Sequence, residues 1–175
     1  MKVGVIGVGY WGIKHVDEYI QLGHDVIICD KSQGNIKNCK KRFDTVEVKN
    51  LETILNEKEV TCVSICTPND THYDIASKCL IAKKHVFLEK PISTNIEDAN
   101  KLIELSERNN VILQVGHIYR FNNSVQKARE LINNFELGHI YSVNFSWTNF
   151  ERVFNDKGII LDLGIHPVDI IDNIF

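Results

Sequence analysis

Apolar residues in the first two thirds of the chain come in short, nearly continuous runs, and the stretches between them carry apolar residues at helical spacing. The runs begin at Lys2 and lead into Gly7, then recur at residues 25–29, 45–48, 60–65, 85–88 and 111–115. Runs of this length, rich in Val and Ile, have the character of strands buried on both faces. The intervening segments predict helices over residues 12–22, 32–43, 50–56, 70–82 and 95–108. Asn50 is placed to cap the third, whose Leu51, Ile54 and Leu55 share an inner face, and Asp70 is placed to cap the fourth. Strands that alternate with helices imply an α/β fold with a parallel, doubly wound sheet.

After Gly116 the pattern changes. Val125, Ala128, Leu131 and Ile132 mark one face of a helix over residues 124–134. In the stretch 139–150, Tyr141, Val143, Phe145 and Trp147 alternate with polar residues, the signature of a strand with one buried face. Residues 158–175 read as a last helix. The expected organisation is a dinucleotide-binding domain over 1–117 and the beginning of an α+β substrate and dimerisation domain over 118–175.

The first strand and helix are joined by Gly7, Gly9 and Gly12. Any glycine-rich turn can match G-x-G-x-x-G; its place between a strand and a helix is what gives it meaning. There Gly7 permits the tight turn, Gly9 lets backbone approach a pyrophosphate, and Gly12 lets helix and strand pack closely. The free N–H groups at the helix start face the phosphates. Asp30 closes the second strand, near the offset expected for the acid that holds the adenosine ribose. These are the marks of a Rossmann fold with strand order 3-2-1-4-5-6. Its ligand edge receives the glycine turn, Thr67-Pro68-Asn69, Glu89-Lys90-Pro91 and Gly116-His117, each just after a strand. Asp30 favours NAD over NADP, and Lys31 beside it softens that preference.

Composition narrows the partners. The 175 residues are 43% hydrophobic with a net charge of -3, and the longest Lys/Arg run is Lys40-Lys41-Arg42, so nucleic acid is not expected as a partner. No apolar run approaches the ~18 residues of a membrane span, and the N-terminus enters a strand without a signal-peptide pattern; a cytoplasmic location and no membrane partner are expected. The five cysteines, Cys29, Cys39, Cys62, Cys66 and Cys79, form no C-x-x-C pair. They read as reduced thiols, and no metal site is expected.

The ordered motifs GVGYWG, CTPNDTH, FLEKPIS, GHIYRFN and DLGIHPVD resemble those of the Gfo/Idh/MocA family of nicotinamide-dependent sugar and polyol oxidoreductases. The resemblance implies that Thr67, Pro68, Asn69 and His72 line the nicotinamide half of NAD, with Tyr10, Trp11 and Glu89 also at the cofactor. It further implies that Lys90 reaches the substrate hydroxyl and that Asp162 and His166 complete the catalytic set. The forms GYWG and GHIYRFN are similar to the branch acting on nucleotide-linked sugars such as UDP-N-acetylglucosamine. Family members continue well beyond the D-x-x-x-H helix, so the substrate half is expected to be incomplete at Phe175, and a homo-oligomer is expected.

Each role has a plainer alternative. Lys90 can be an ordinary strand-end lysine, His166 a helix cap, Asp162 a charge at a helix start and His72 a first-turn residue. Arg120 reads as an ion-pair residue at the domain junction. Pro167 would interrupt a continuous helix over 158–175. Two further readings of the whole chain are a module that holds NAD without turnover and an interaction subunit that borrows a partner's sheet.

Overall fold

The structure, a computed structural model, describes residues 1–148 and 158–175. The chain divides into two compact units, Met1–Gly116 and His117–Phe175.

The first unit is built on six parallel strands: β1 (Lys2–Ile6), β2 (Asp25–Cys29), β3 (Glu47–Val48), β4 (Val60–Ile65), β5 (His85–Leu88) and β6 (Leu113–Val115). Their order is β3-β2-β1-β4-β5-β6, the expected doubly wound arrangement with its reversal between β1 and β4. Successive side chains on a strand point to opposite faces, and the core divides accordingly. Val5, Val26 and Ile28 pack with Val16 of α1 (Gly12–Gln21) and Cys39 of α2 (Gln33–Arg42) on one face. Ile6, Ile27, Val63, Ile65 and Leu88 meet α3 (Leu51–Asn56), α4 (His72–Ile81) and α5 (Ile96–Asn109) on the other, through Ile54, Leu80 and Leu102. Burial of each such aliphatic side chain stabilises by about 1.5–3 kcal/mol.

Polar residues set the helix starts. Ser32, Asn50 and Asn95 each accept a backbone N–H three residues on, worth about 1 kcal/mol apiece. Asp70 does not cap α4. The chain after Pro68 first makes a 3₁₀ turn, Asn69–Thr71, and α4 begins at His72. Thr71 donates its hydroxyl to the Pro68 carbonyl at 2.6 Å, which uses a local side-chain bond to hold the turn.

The second unit contains a 3₁₀ turn (Ile118–Phe121), α6 (Asn123–Asn133), a π-helical turn (Ile160–Gly164) and α7 (Ile165–Ile174). Asn122 caps α6, and Val125, Ala128, Leu131 and Ile132 are its half-buried stripe. The helix expected over 158–175 runs from Ile159 to Ile174, wound as a π turn over Ile160–Gly164 and as α7 from Ile165; Gly164 and Ile165 keep right-handed helical φ and ψ, so Pro167 lies inside the helix, just after its wider turn. The strand expected over 139–150 is absent from its described part. Residues 139–148 pair with no strand among the described residues, and residues 149–150 lie outside them. Alternation marks a face, but a ladder also needs a neighbour, and Tyr141 is 94% exposed.

Candidate dinucleotide site and the second-unit cluster

The glycine turn is built as a cradle. Gly7 takes φ +84°, and a Cβ on it would lie 2.8 Å from the Thr67 side chain and 2.9 Å from the Cys66 backbone. A Cβ on Gly12 would lie 1.8 Å from the Gly7 carbonyl oxygen. Gly9 is different: the nearest atom to its Cβ position is Asn35 Nδ2 at 3.9 Å, so this side of the turn is open to an approaching group. Two glycines thus close the turn while the third presents bare backbone. No side chain caps α1, and its first turn carries no acidic residue. Its positive end is left to an external anion. This chemistry fits the pyrophosphate of NAD.

Asp30 joins the turn to the next helix. Its Oδ2 accepts the Val8 N–H at 2.7 Å and the Asn35 amide at 3.1 Å, and Oδ1 accepts the Ser32 N–H at 2.7 Å. A carboxylate offers about four lone-pair sites, which leaves capacity for a ribose hydroxyl. Lys31 beside it is exposed. Tyr10 and Trp11 form an exposed edge-to-face pair, with the Lys14 ammonium 4.3 and 4.1 Å from their ring centres.

Beyond the strand reversal, the ends of β4 and β5 are tied together by His72. This residue is fully buried; its Nδ1 faces the Pro91 carbonyl at 2.8 Å and its Nε2 the Thr67 carbonyl at 2.9 Å. His72 therefore bridges the Thr67-Pro68-Asn69 turn and the Glu89-Lys90-Pro91 turn from below. The Thr67 and Thr71 hydroxyl oxygens lie 2.8 Å apart, Pro68 is exposed, and Asn69 opens the 3₁₀ turn. Lys90 is half-buried at the β5 end, and the Lys90–Pro91 peptide is cis.

Glu89 has a partner that sequence reasoning missed. His15 Nε2 donates to its Oε1 at 3.0 Å, His15 Nδ1 lies 3.3 Å from Ser64 Oγ, and Ser64 is 2.7 Å from the Tyr19 hydroxyl. The available signal was a polar residue on the sheet-facing stripe of α1, between Gly12 and Tyr19. Burial, with the Glu89 charge adding to it, pushes the Cys66 thiol up. All five cysteines are free. Among the described residues no group of His, Cys, Asp or Glu could hold a metal ion, and no helix is long and apolar enough to cross a membrane.

In the second unit, His166 is buried in the first turn of α7, stacked on Trp147 with ring centres 5.7 Å apart and edge-on to Tyr119 at 5.0 Å. Asp162 is half-buried in the π turn. Arg120 pairs within this unit: its Nε donates to buried Asp169 at 2.6 Å and its Nη2 to Asp172 at 3.0 Å. The Asp169 bond holds the guanidinium above its usual range.

Comparison with known proteins agrees with the fold of the first unit. The model of an oxidoreductase family with an NAD-binding Rossmann fold, Gfo/Idh/MocA, matches residues 1–117. The chain is 28% identical over 177 residues to the myo-inositol 2-dehydrogenase of Thermotoga maritima, covering 97% of this chain and 53% of that protein. It is 30% identical over 183 residues to the 2,7-anhydro-N-acetylneuraminate hydratase of Escherichia coli, covering 99% and 49%. A solved structure described as a probable dehydrogenase from Thermotoga maritima superposes with a TM-score of 0.85 at 26% identity, over 99% of this chain and 55% of that one. The chain spans about half the length of the curated relatives it matches.

Proposed function

The chain belongs to the Gfo/Idh/MocA oxidoreductase family, whose first domain is an NAD-binding Rossmann fold, and on that premise we propose that it carries the cofactor half of a dehydrogenase. Its substrate class is a secondary hydroxyl of a sugar, sugar nucleotide or polyol. The observation that carries this reading is the cradle itself: Gly7 and Gly12 cannot bear a Cβ, while Gly9 faces open space beside an uncapped helix start. Names of relatives acting on an inositol and on an anhydro sugar acid support a polyhydroxylated ring.

NAD, when bound, supplies the acceptor for the hydride that leaves the carbinol carbon. The chain's own residues bind and move the proton. Backbone N–H groups at the start of α1 hold the pyrophosphate, and Asp30 accepts from the adenosine ribose. The reading gives Lys90 the role of donating a hydrogen bond to the developing alkoxide, where a fixed ammonium lowers the barrier. It gives His166 the role of accepting the hydroxyl proton and Asp162 that of orienting it. His72 keeps Lys90 in place through the Pro91 carbonyl.

The test is NADH formation, followed by its near-ultraviolet absorbance, with a panel of inositols, free and phosphorylated sugars and UDP-N-acetylglucosamine. Turnover with one class, lost in Lys90→Ala while NAD affinity stays, supports the reading. NAD binding without reduction by any member of the panel favours a module that holds the cofactor without turnover.

A further inference from the structure

The glycine turn and Asp30 assign the pyrophosphate and adenosine ribose to the ends of β1 and β2. The nicotinamide half of the same molecule then extends to the other side of the strand reversal, over the ends of β4 and β5. Glu89, the first residue after β5, brings a carboxylate to this edge. Its side chain is 15% exposed, and both its oxygens lie 3.4 Å from the position a Cβ on Gly116 would take. It is fixed there by a chain of hydrogen bonds that reaches back through His15 to Ser64 and Tyr19. The Tyr19 hydroxyl lies 2.7 Å from Ser64 Oγ, Ser64 Oγ lies 3.3 Å from His15 Nδ1, and His15 Nε2 donates to Glu89 Oε1 at 3.0 Å. Ser64 is fully buried and the Phe87 ring packs edge-on against His15, so the imidazole has little room to turn.

We propose that Glu89, held by His15, is the charge by which this chain distinguishes oxidised from reduced nicotinamide. The inference rests on the NAD-binding reading above and adds a preference to it. Uptake of a hydride, two electrons and one proton, cancels the positive charge of the nicotinamide ring. A carboxylate at that end of the site attracts the oxidised ring and not the reduced one. Glu89 therefore tightens NAD⁺ relative to NADH. His15 is a positioning residue: it acts by aiming the carboxylate. Two unit charges near a protein surface interact strongly enough to move an affinity about ten-fold.

The experiment is calorimetric titration of the 175-residue chain with NAD⁺ and with NADH, for the wild type, Glu89→Gln, His15→Leu and His15→Gln, with the fold of each checked by circular dichroism. Glu89→Gln, which keeps the shape and removes the charge, should weaken NAD⁺ about ten-fold relative to NADH. His15→Leu should move the ratio in the same direction. His15→Gln, whose amide N–H reaches the same oxygen, should restore it towards the wild-type value. If Glu89→Gln changes both affinities alike, or neither, the charge assignment is wrong. If His15→Gln behaves like His15→Leu, the positioning role is wrong. If the wild type binds neither form, the NAD site itself falls and this inference with it.

Discussion

Gly12 and Gly7 meet backbone to backbone: a Cβ on Gly12 would lie 1.8 Å from the Gly7 carbonyl oxygen. No side-chain rotation relieves that approach, because both partners are main chain. Gly12→Ala should therefore open the turn, destabilise the first unit by about 1–3 kcal/mol and weaken NAD binding at least about ten-fold by displacing the N–H groups that face the phosphates. Gly9→Ala meets no atom closer than 3.9 Å, so it should fold with near wild-type stability and still lose NAD affinity. Thermal unfolding and NAD titration of the two variants check this; equal stability losses would contradict it.

Asp30 should make the chain prefer NAD to NADP. Its carboxylate accepts three hydrogen bonds from the turn and from the start of α2, so it is held at the ribose end and repels a 2′-phosphate. Exposed Lys31 softens the preference without reversing it. Asp30→Asn should narrow the ratio of the two affinities, measured by titration with each cofactor. Tighter NADP binding by the wild type would contradict the assignment.

Much of this was readable in the chain, and the misses have physical causes. Sheet order and the glycine turn show in the sequence because a strand buried on both faces needs an apolar run and a close backbone approach needs glycine. Asp70 illustrates local competition: an acidic residue before a helix suits a cap, but the Thr71 hydroxyl took the Pro68 carbonyl and made a 3₁₀ turn. The stretch 139–148 illustrates the reverse limit, since alternation cannot supply a partner strand. His15 and Glu89 stand 74 residues apart, and a hydrogen bond of that separation leaves no periodic trace. His72 read as a cofactor contact or a helix first-turn residue; it is the first residue of α4, and its contacts with the Thr67 and Pro91 carbonyls, 5 and 19 residues away, are what spacing alone did not show.

Stability should fall with alkaline pH. Burial pushes the Cys79 thiol up to about 12, whereas the unfolded chain ionises it near the ordinary value of 9.0. The folded pKa is raised, so the contribution is complete below about pH 9 and is lost as pH rises, by about 1.4 kcal/mol per pH unit. Lys84, whose pKa burial lowers, contributes in the opposite direction in both proteins compared. Urea unfolding under reducing conditions at a series of pH values should therefore show a shallower alkaline decline for Cys79→Ala than for the wild type. Parallel declines would show that this thiol ionises as readily folded as unfolded.

The central claim is that the edge formed by the glycine turn and the ends of β4 and β5 binds NAD. The most direct measurement is titration of isotopically labelled chain with NAD, reading backbone amide shifts residue by residue. Saturable one-to-one binding is expected, with the largest shifts at Gly9, Trp11, Gly12 and Asp30 and at Thr67, Asn69, Glu89 and Lys90. Absence of saturable shifts, or shifts confined to the opposite edge of the sheet around Met1, Gly23 and Lys84, would contradict it.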